Sequence, residues 1–239
     1  MKEQGVYMKV LCIIPARGGS KRIPRKNIKT FIDKPILAYP IQAALESGIF
    51  DEVMVSTDDE EIAAIARQYG ASVPFLRSAE TASDYATTEA VHKEVLREYE
   101  KLGKTFDYMC NIYPCTPMVT PEKLRGCFQM LLDSGADCAQ SMIRYSVPPQ
   151  QAFHTGEDGF MYFVNPDLAY ERTQDLEPWY YDAGQYYFYD VKAYHLRDAK
   201  VRSVARYEIP ESDSQDVDTE EDWRMAELKY HMIKEKENK

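Results

Sequence analysis

Apolar residues fall into two kinds of run along this 239-residue chain. The first kind is short, continuous and bounded by turn residues: KVLCIIP at 9–15, EVMVST at 52–57, YMCNIY at 108–113 and DCAQSM at 137–142. Runs without polar alternation predict strands covered on both faces, as in a parallel sheet. The second kind is helical. PILAYPIQAALES at 35–47 opens on proline and stops at Gly48, with Pro40 a candidate kink. DEEIAAIARQYG at 59–70 opens on an acidic cap and closes on Gly70, and helices are also predicted over 89–102 and 121–134. Strand and helix alternate, which predicts an α/β fold with a mostly parallel sheet wrapped on both faces. Ligands in such sheets sit at the carboxyl ends of the strands, where the first loop and the later turns converge.

The rhythm breaks over 146–182, which is rich in proline, glutamine and aromatics (SVPPQQAFH, EPWYYD). Seven of the 18 tyrosines lie between Tyr162 and Tyr189, too aromatic a composition for a solvated linker. It predicts a small arm inserted into one domain spanning 1–239. AGQYYFYDV at 183–191 then reads as a further strand, and a helix from about 220 runs into a charged tail expected to fray. No internal repeat is visible.

Composition narrows the function. With 44% hydrophobic residues the chain can bury one sizeable core. Its longest apolar run near the start is far too short to span a bilayer, so no membrane partner and a cytoplasmic location are expected. Five cysteines, odd in number and without CxxC pairing, predict buried thiols in a reducing compartment. A net charge of -10 excludes a nucleic-acid partner. The charge is uneven, however: seven cations stand against Asp33 alone between Arg17 and Lys34, a net +6 on an acidic protein.

Five of those cations belong to ARGGSKRIPRKN at 16–27, immediately after the first strand. Glycines let backbone N–H groups approach phosphate oxygens, and lysines and arginines offset the charge of a leaving pyrophosphate. Seven cations so close together repel one another, which predicts a bound anion. Neither the P-loop GxxxxGKS nor the dinucleotide GxGxxG is present. Asp216 and Asp218, two apart in SQDVDTEEDW, face one side of an extended segment and can share a divalent cation; Asp218 with Glu221 is equally a helix start. Thr and Glu spacing within 84–89 likewise serves as a helix cap. His92, His154, His195 and His231 are isolated and are given no catalytic role.

The string IIPARGGSKRIPRKN closely resembles the opening of the acylneuraminate cytidylyltransferase family. The resemblance implies a Rossmann-like nucleotidyltransferase fold, with the arm serving dimerisation and reaching the partner's site. It implies CTP and an acidic nine-carbon sugar as substrates, and Mg²⁺ as cofactor. In the family this loop holds the nucleotide phosphates, which implicates Arg17, Gly18, Gly19, Ser20, Lys26 and Asn27, with Arg17 and Lys26 catalytic. FLRSAETASDYATTEA at 75–90 resembles the stretch that holds cytosine and ribose, which carries over to Arg77, Ala86, Thr87 and Thr88. SQDVDTEEDW resembles the DIDTExD metal motif, with Asp216 and Asp218 as ligands and Asp218 also a catalytic candidate. NIYPCTPMV at 111–119 departs from the LLQPTSPLR of sialic-acid enzymes, Tyr113 replacing a glutamine and Val119 an arginine. Together with Arg22 and the RTQDLEPWYYDAGQYYF run, it is similar to the pseudaminic acid branch. Arg22, Tyr113, Arg172, Gln185 and Tyr186 are therefore the sugar-site candidates. Sialic, legionaminic or another nonulosonic acid remains an alternative acceptor, and a non-catalytic nucleotide-binding protein an alternative role.

Overall fold

The computed structural model describes residues 7–196 and 198–237. After strand β1 (Val10–Pro15) and the loop come a 3-10 turn (Lys26–Ile28) and a two-residue ribbon, β2 (Thr30–Phe31) with β3 (Lys34–Pro35). Helix α1 (Ala38–Ser47), β4 (Glu52–Ser56), α2 (Glu60–Gln68), a short α3 (Ala79–Ala82), α4 (Thr88–Lys101), β5 (Tyr108–Ile112), α5 (Pro121–Ser134) and β6 (Cys138–Arg144) follow. The chain continues through a hairpin, β7 (Phe153–Thr155) and β8 (Met161–Phe163), to β9 (Tyr180–Asp190), α6 (Val191–Leu196), β10 (Val204–Glu208) and α7 (Glu220–Glu237).

Local chemistry explains the helix ends. Asp59 accepts from the N–H groups of Glu61 and Ile62 at the start of α2, Thr87 caps α4 and Thr120 caps α5, and Gly48 and Gly135 end α1 and α5 in the left-handed region. The helix predicted from residue 35 begins only at Ala38, because Lys34 and Pro35 pair with Phe31 and Thr30. Pro40 is the third helical residue, where an N–H has no partner within the helix, so no kink is required. The charged C-terminal residues stay helical through Glu237, and what is left of the expected tail, 238–239, lies outside the described residues. Helix α6, β10 and the ribbon carried too little periodicity to be predicted.

Six strands form one sheet in the order β10-β6-β9-β5-β1-β4, parallel except for β9, which runs antiparallel to both β5 and β6. A parallel β9 would need a crossover on one face of the sheet; instead the chain leaves β6 through the hairpin and returns along its edge. β1 is covered on both sides as its unbroken run predicts. Cys12 and Ile14 pack with α1, α2 and α5, while Leu11 and Ile13 pack with α4 and α6. A third cluster joins Ile23 and Phe31 to Cys115, Val217 and Trp223, so the loop after β1 is anchored from beneath onto α7. Burying Ile23 alone contributes about 1.5–3 kcal/mol to that anchoring. Residues 146–179 lie outside the sheet; Tyr180, Tyr181 and Asp182, grouped with the arm from the sequence, belong to β9. No helix among the described residues is long and apolar enough to cross a membrane.

Candidate active site

β1 hydrogen-bonds β4 on one side and β5 on the other, so the strand order reverses at β1. A crevice outside the carboxyl ends is expected at such a point. A cavity of about 660 Å³ opens there. The loop after β1 supplies Arg17, Ser20, Lys21, Arg22, Lys26 and Asn27; the turn after β5 supplies Tyr113 to Thr116; β9 supplies Asp182 to Gly184; and the segment before α7 supplies Gln215, Asp216 and Val217.

The loop is held in shape by its own backbone and by buried partners. Asn27, 4% exposed, donates from Nδ2 to the Arg17 carbonyl at 2.9 Å, tying the two ends of the loop together. The Gly18 N–H donates to Asp58 Oδ1 at 3.0 Å, and a Cβ at Gly18 would lie 2.7 Å from Asp59 Oδ2, so only glycine fits this approach. Arg25 adopts a left-handed conformation (φ 57°, ψ 29°) and is fixed there by Asp59 and Glu61.

The cations that predict a bound anion already have partners within the chain. Six of the seven meet a carboxylate or carbonyl from another segment, and Lys34 meets the Gln42 side chain eight residues on. Arg17 donates to Asp84 at 2.7 Å and to the Ser83 carbonyl at 3.3 Å, and Lys21 pairs with the same Asp84. These two cations, Lys21 first, hold the Asp84 carboxyl below the usual carboxylate range. Arg22 reaches Asp218 at 2.8 Å, and Lys26 lies 3.5 Å from Asp218 while donating to the Val217 carbonyl at 2.5 Å. Exposed pairs such as those of Arg17 and Lys21 with Asp84 are weak.

Asp218 is not the cap of α7. Thr219 accepts from the Asp222 N–H at 3.2 Å, and Asp222 accepts from the Thr219 N–H at 2.8 Å, which forms a reciprocal capping box. The Asp218 side chain is thereby left to the loop. No group of three or more His, Cys, Asp or Glu side chains that could hold a metal alone occurs among the described residues. Asp216 at the cavity wall and Asp218 against the loop are hard oxygen donors of the kind that suits Mg²⁺, which binds through one or two carboxylates plus substrate phosphates. Cys115 also lines the cavity, but burial first, with help from Asp216 and Asp218, pushes its thiol up to about 12, so it is no nucleophile at neutral pH.

The remaining candidates divide. Tyr113 lines the cavity, its hydroxyl 3.3 Å from that of Thr88 and its ring edge-on to Tyr187 at 5.8 Å. Gly19 has open space around it and, like Gly18, stays out of the lining. Arg77 is buried behind the carboxyl end of β4, donating to Ser56 Oγ at 3.1 Å and to the Ser56 carbonyl at 2.6 Å. Burial lowers its pKa to about 10, so it stays cationic. Ala86 leads into α4, and the Thr87 hydroxyl is its cap, as the spacing allowed. The structure does not bring Gln185, Tyr186 or Arg172 into the cavity lining. Gln185 is 2% exposed and donates to the Asp213 carbonyl at 2.6 Å. Tyr186 points into the main core, since adjacent strand residues face opposite sides. Arg172 stands in the arm, 4.0 Å from Asp175. Asp84 and Asp182 were not singled out from the sequence; nothing local marks them, and only the fold brings them here.

A cationic loop at the switch point of a mostly parallel sheet, opposite paired carboxylates, defines a nucleotidyltransferase. A cytidylyltransferase family model matches residues 11–215. The chain belongs to the cytidylyltransferase family. It is 37% identical over 224 residues to pseudaminic acid cytidylyltransferase of Campylobacter jejuni, covering 93% of this chain and 97% of the relative. It is 33% identical over 236 residues to CMP-N,N'-diacetyllegionaminic acid synthase of Legionella pneumophila, covering 92% and 95%. A solved CMP:2-keto-3-deoxy-manno-octonic acid synthetase complexed with CTP shares the fold, with a TM-score of 0.68 at 19% identity over 95% of this chain and 99% of that one.

Proposed function

We propose that this enzyme transfers the cytidylyl group of CTP to a nonulosonic acid, with pseudaminic acid the favoured acceptor and CMP-pseudaminic acid and pyrophosphate the products. The observation that carries the reading is the asymmetry of the cavity. Cations crowd its β1 side, where a triphosphate would fit, and Tyr113, Ala183 and Gly184 line its other side, the Tyr187 ring standing edge-on to Tyr113. An aromatic wall with few donors suits a 6-deoxy diacetamido sugar better than the polar tail of sialic acid. Arg22, which lines the cavity, would meet the sugar carboxylate in exchange for Asp218. The acceptors of the legionaminic and sialic acid relatives form the second reading.

The anomeric hydroxyl attacks the α-phosphorus, the new P–O bond forms in line with the bond that breaks to pyrophosphate, and the hydroxyl proton passes to Asp218 or to water. Arg17 and Lys26 offset charge gathering on the departing phosphates, and Asn27 keeps the loop closed around them. Arg77, Ala86, Thr87 and Thr88 border the cytidine side. Asp216 and Asp218 would hold Mg²⁺, which neutralises phosphate charge and orients the leaving group. Little covalent chemistry falls to the protein; positioning and electrostatics supply the rate.

The arm carries Phe153, Phe160, Met161, Tyr162, Tyr170 and Trp179, all exposed, an apolar patch that a second copy of the chain would cover. A homodimer would also give Arg172 a site to enter, that of the partner. Five buried free thiols and a CTP requirement fit the cytoplasm. The test is pyrophosphate release from CTP and Mg²⁺ with a panel of nonulosonic acids. Pseudaminic acid should give the highest kcat/KM; a higher value for sialic or legionaminic acid reassigns the acceptor, and CTP binding without turnover on any of them means a non-catalytic nucleotide-binding protein.

A further inference from the structure

The segment that brings Asp216 to the cavity and Asp218 to the loop cations is gripped just upstream, at Asp213. Its carboxylate meets Lys123 Nζ at 2.8 Å, and both side chains are less than a fifth exposed. Its carbonyl accepts from Gln185 Nε2 at 2.6 Å, and its Oδ1 accepts from the Ser212 hydroxyl at 2.9 Å. Lys123 also donates to the Met118 carbonyl at 2.9 Å, in the turn that carries Tyr113, Cys115 and Thr116. One residue further on, the Ser214 hydroxyl donates to the Ala183 carbonyl at 2.9 Å, and Lys229 donates to the Ser214 carbonyl at 2.7 Å. Between the two carboxylates, Val217 is buried in the cluster beneath the loop.

We infer that Asp213 is a positioning residue for the transfer: through Lys123 and Gln185 it fixes the Asp216–Asp218 segment against the turn after β5 and against β9. The two carboxylates flank the buried Val217, three and five residues beyond this hub, with no regular secondary structure of their own. Gln185 acts here through Asp213, not through the sugar. Charge-assisted bonds between half-buried groups set distance tightly, and a displacement of about 1 Å at a reacting centre costs on the order of 100-fold in rate. The inference rests on the reading that Asp216 and Asp218 serve the transfer.

The test compares Lys123→Met, Lys123→Arg, Asp213→Asn, Gln185→Leu and the double variant Lys123→Met with Asp213→Asn, alongside Asp216→Ala and Asp218→Ala. Lys123→Met is expected to lower kcat by about 10- to 100-fold with KM for CTP and sugar within about 3-fold, and Lys123→Arg to recover most of it. The double variant should be no worse than its poorer parent, because both act through one contact. An unchanged kcat with only a lower Tm would overturn the inference, making the hub purely structural. If Lys123→Met does not fold, Gln185→Leu decides: a fall in kcat supports the hub, and a rise in sugar KM alone makes Gln185 a direct sugar contact instead. Full activity in Asp216→Ala and Asp218→Ala removes the underlying reading and the inference with it; inactive aspartate variants beside a wild-type kcat in Lys123→Met remove the inference alone.

Discussion

Replacing Lys26 by methionine keeps the aliphatic stem and deletes the charge. The Lys26 side chain is only 22% exposed, and its ammonium is fixed before substrate arrives, 2.5 Å from the Val217 carbonyl and 3.5 Å from Asp218. A phosphate charge taking the place of Asp218 at a similar distance would interact with it by roughly 5 kcal/mol at an effective dielectric of about 20. Part of that is present in the bound ground state and does not lower the barrier. The remainder should resemble the loss of one preorganised donor, about 3–4 kcal/mol, or on the order of 100- to 1000-fold in kcat. Pyrophosphate release at saturating CTP and sugar reads kcat directly, and the sugar KM should stay within about 3-fold because Lys26 faces the phosphates. A Lys26→Met enzyme with kcat within about 5-fold of wild type would refute the assignment of this side chain to the departing charge.

His92 is fully enclosed between Tyr194 and Asn111, at 3.1 and 3.0 Å, and burial lowers its pKa below the ordinary value. Above about pH 6.5 both folded and unfolded chains hold it neutral; as the pH falls below that, only the unfolded chain takes the proton, so stability is lost by up to about 1.4 kcal/mol per pH unit. Thermal unfolding between pH 8 and pH 5 should show this extra slope, and His92→Gln should lack it; parallel curves would refute it. Glutamates at Phe160 and Met161, both exposed at the tip of the β7–β8 hairpin, should convert a dimer to monomers without lowering Tm. Sedimentation showing a fully active wild-type monomer would rule out any role for the arm in assembly.

Much of the fold was legible because it follows from local pattern. The unbroken run at 9–15 admits only a strand buried on both faces, and Asp59, Thr87, Thr120 and Gly48 mark helix ends through bonds to their own neighbours. The cationic character of the loop was legible for the same reason: glycines and cations follow a strand end without interruption. The error of expecting Gln185 and Tyr186 in one cavity was avoidable, since neighbouring strand residues diverge. What remained hidden depends on pairings across the sequence. β9 is antiparallel because of the route the chain takes after β6. Its register slips between the Gln140–Tyr187 and Met142–Asp182 pairs, with Gly184 in the left-handed region, and that slip sends Asp182 to the cavity and Gln185 to Asp213.

By itself, then, the sequence determined the alternating strands and helices, the anion-seeking loop and the family to which its motifs belong, because each is written within a span of some 15 residues. Only the tertiary structure decided that Asp84 and Asp218 neutralise that loop, that Thr219 rather than Asp218 caps α7, and that Asp213 joins three walls of the cavity. Lys26 and Val217 are 191 residues apart, and Arg17 and Asp84 67. No local preference selects one carboxylate among 39 acidic residues; packing of β1, β9 and α7 around Ile23 and Trp223 does.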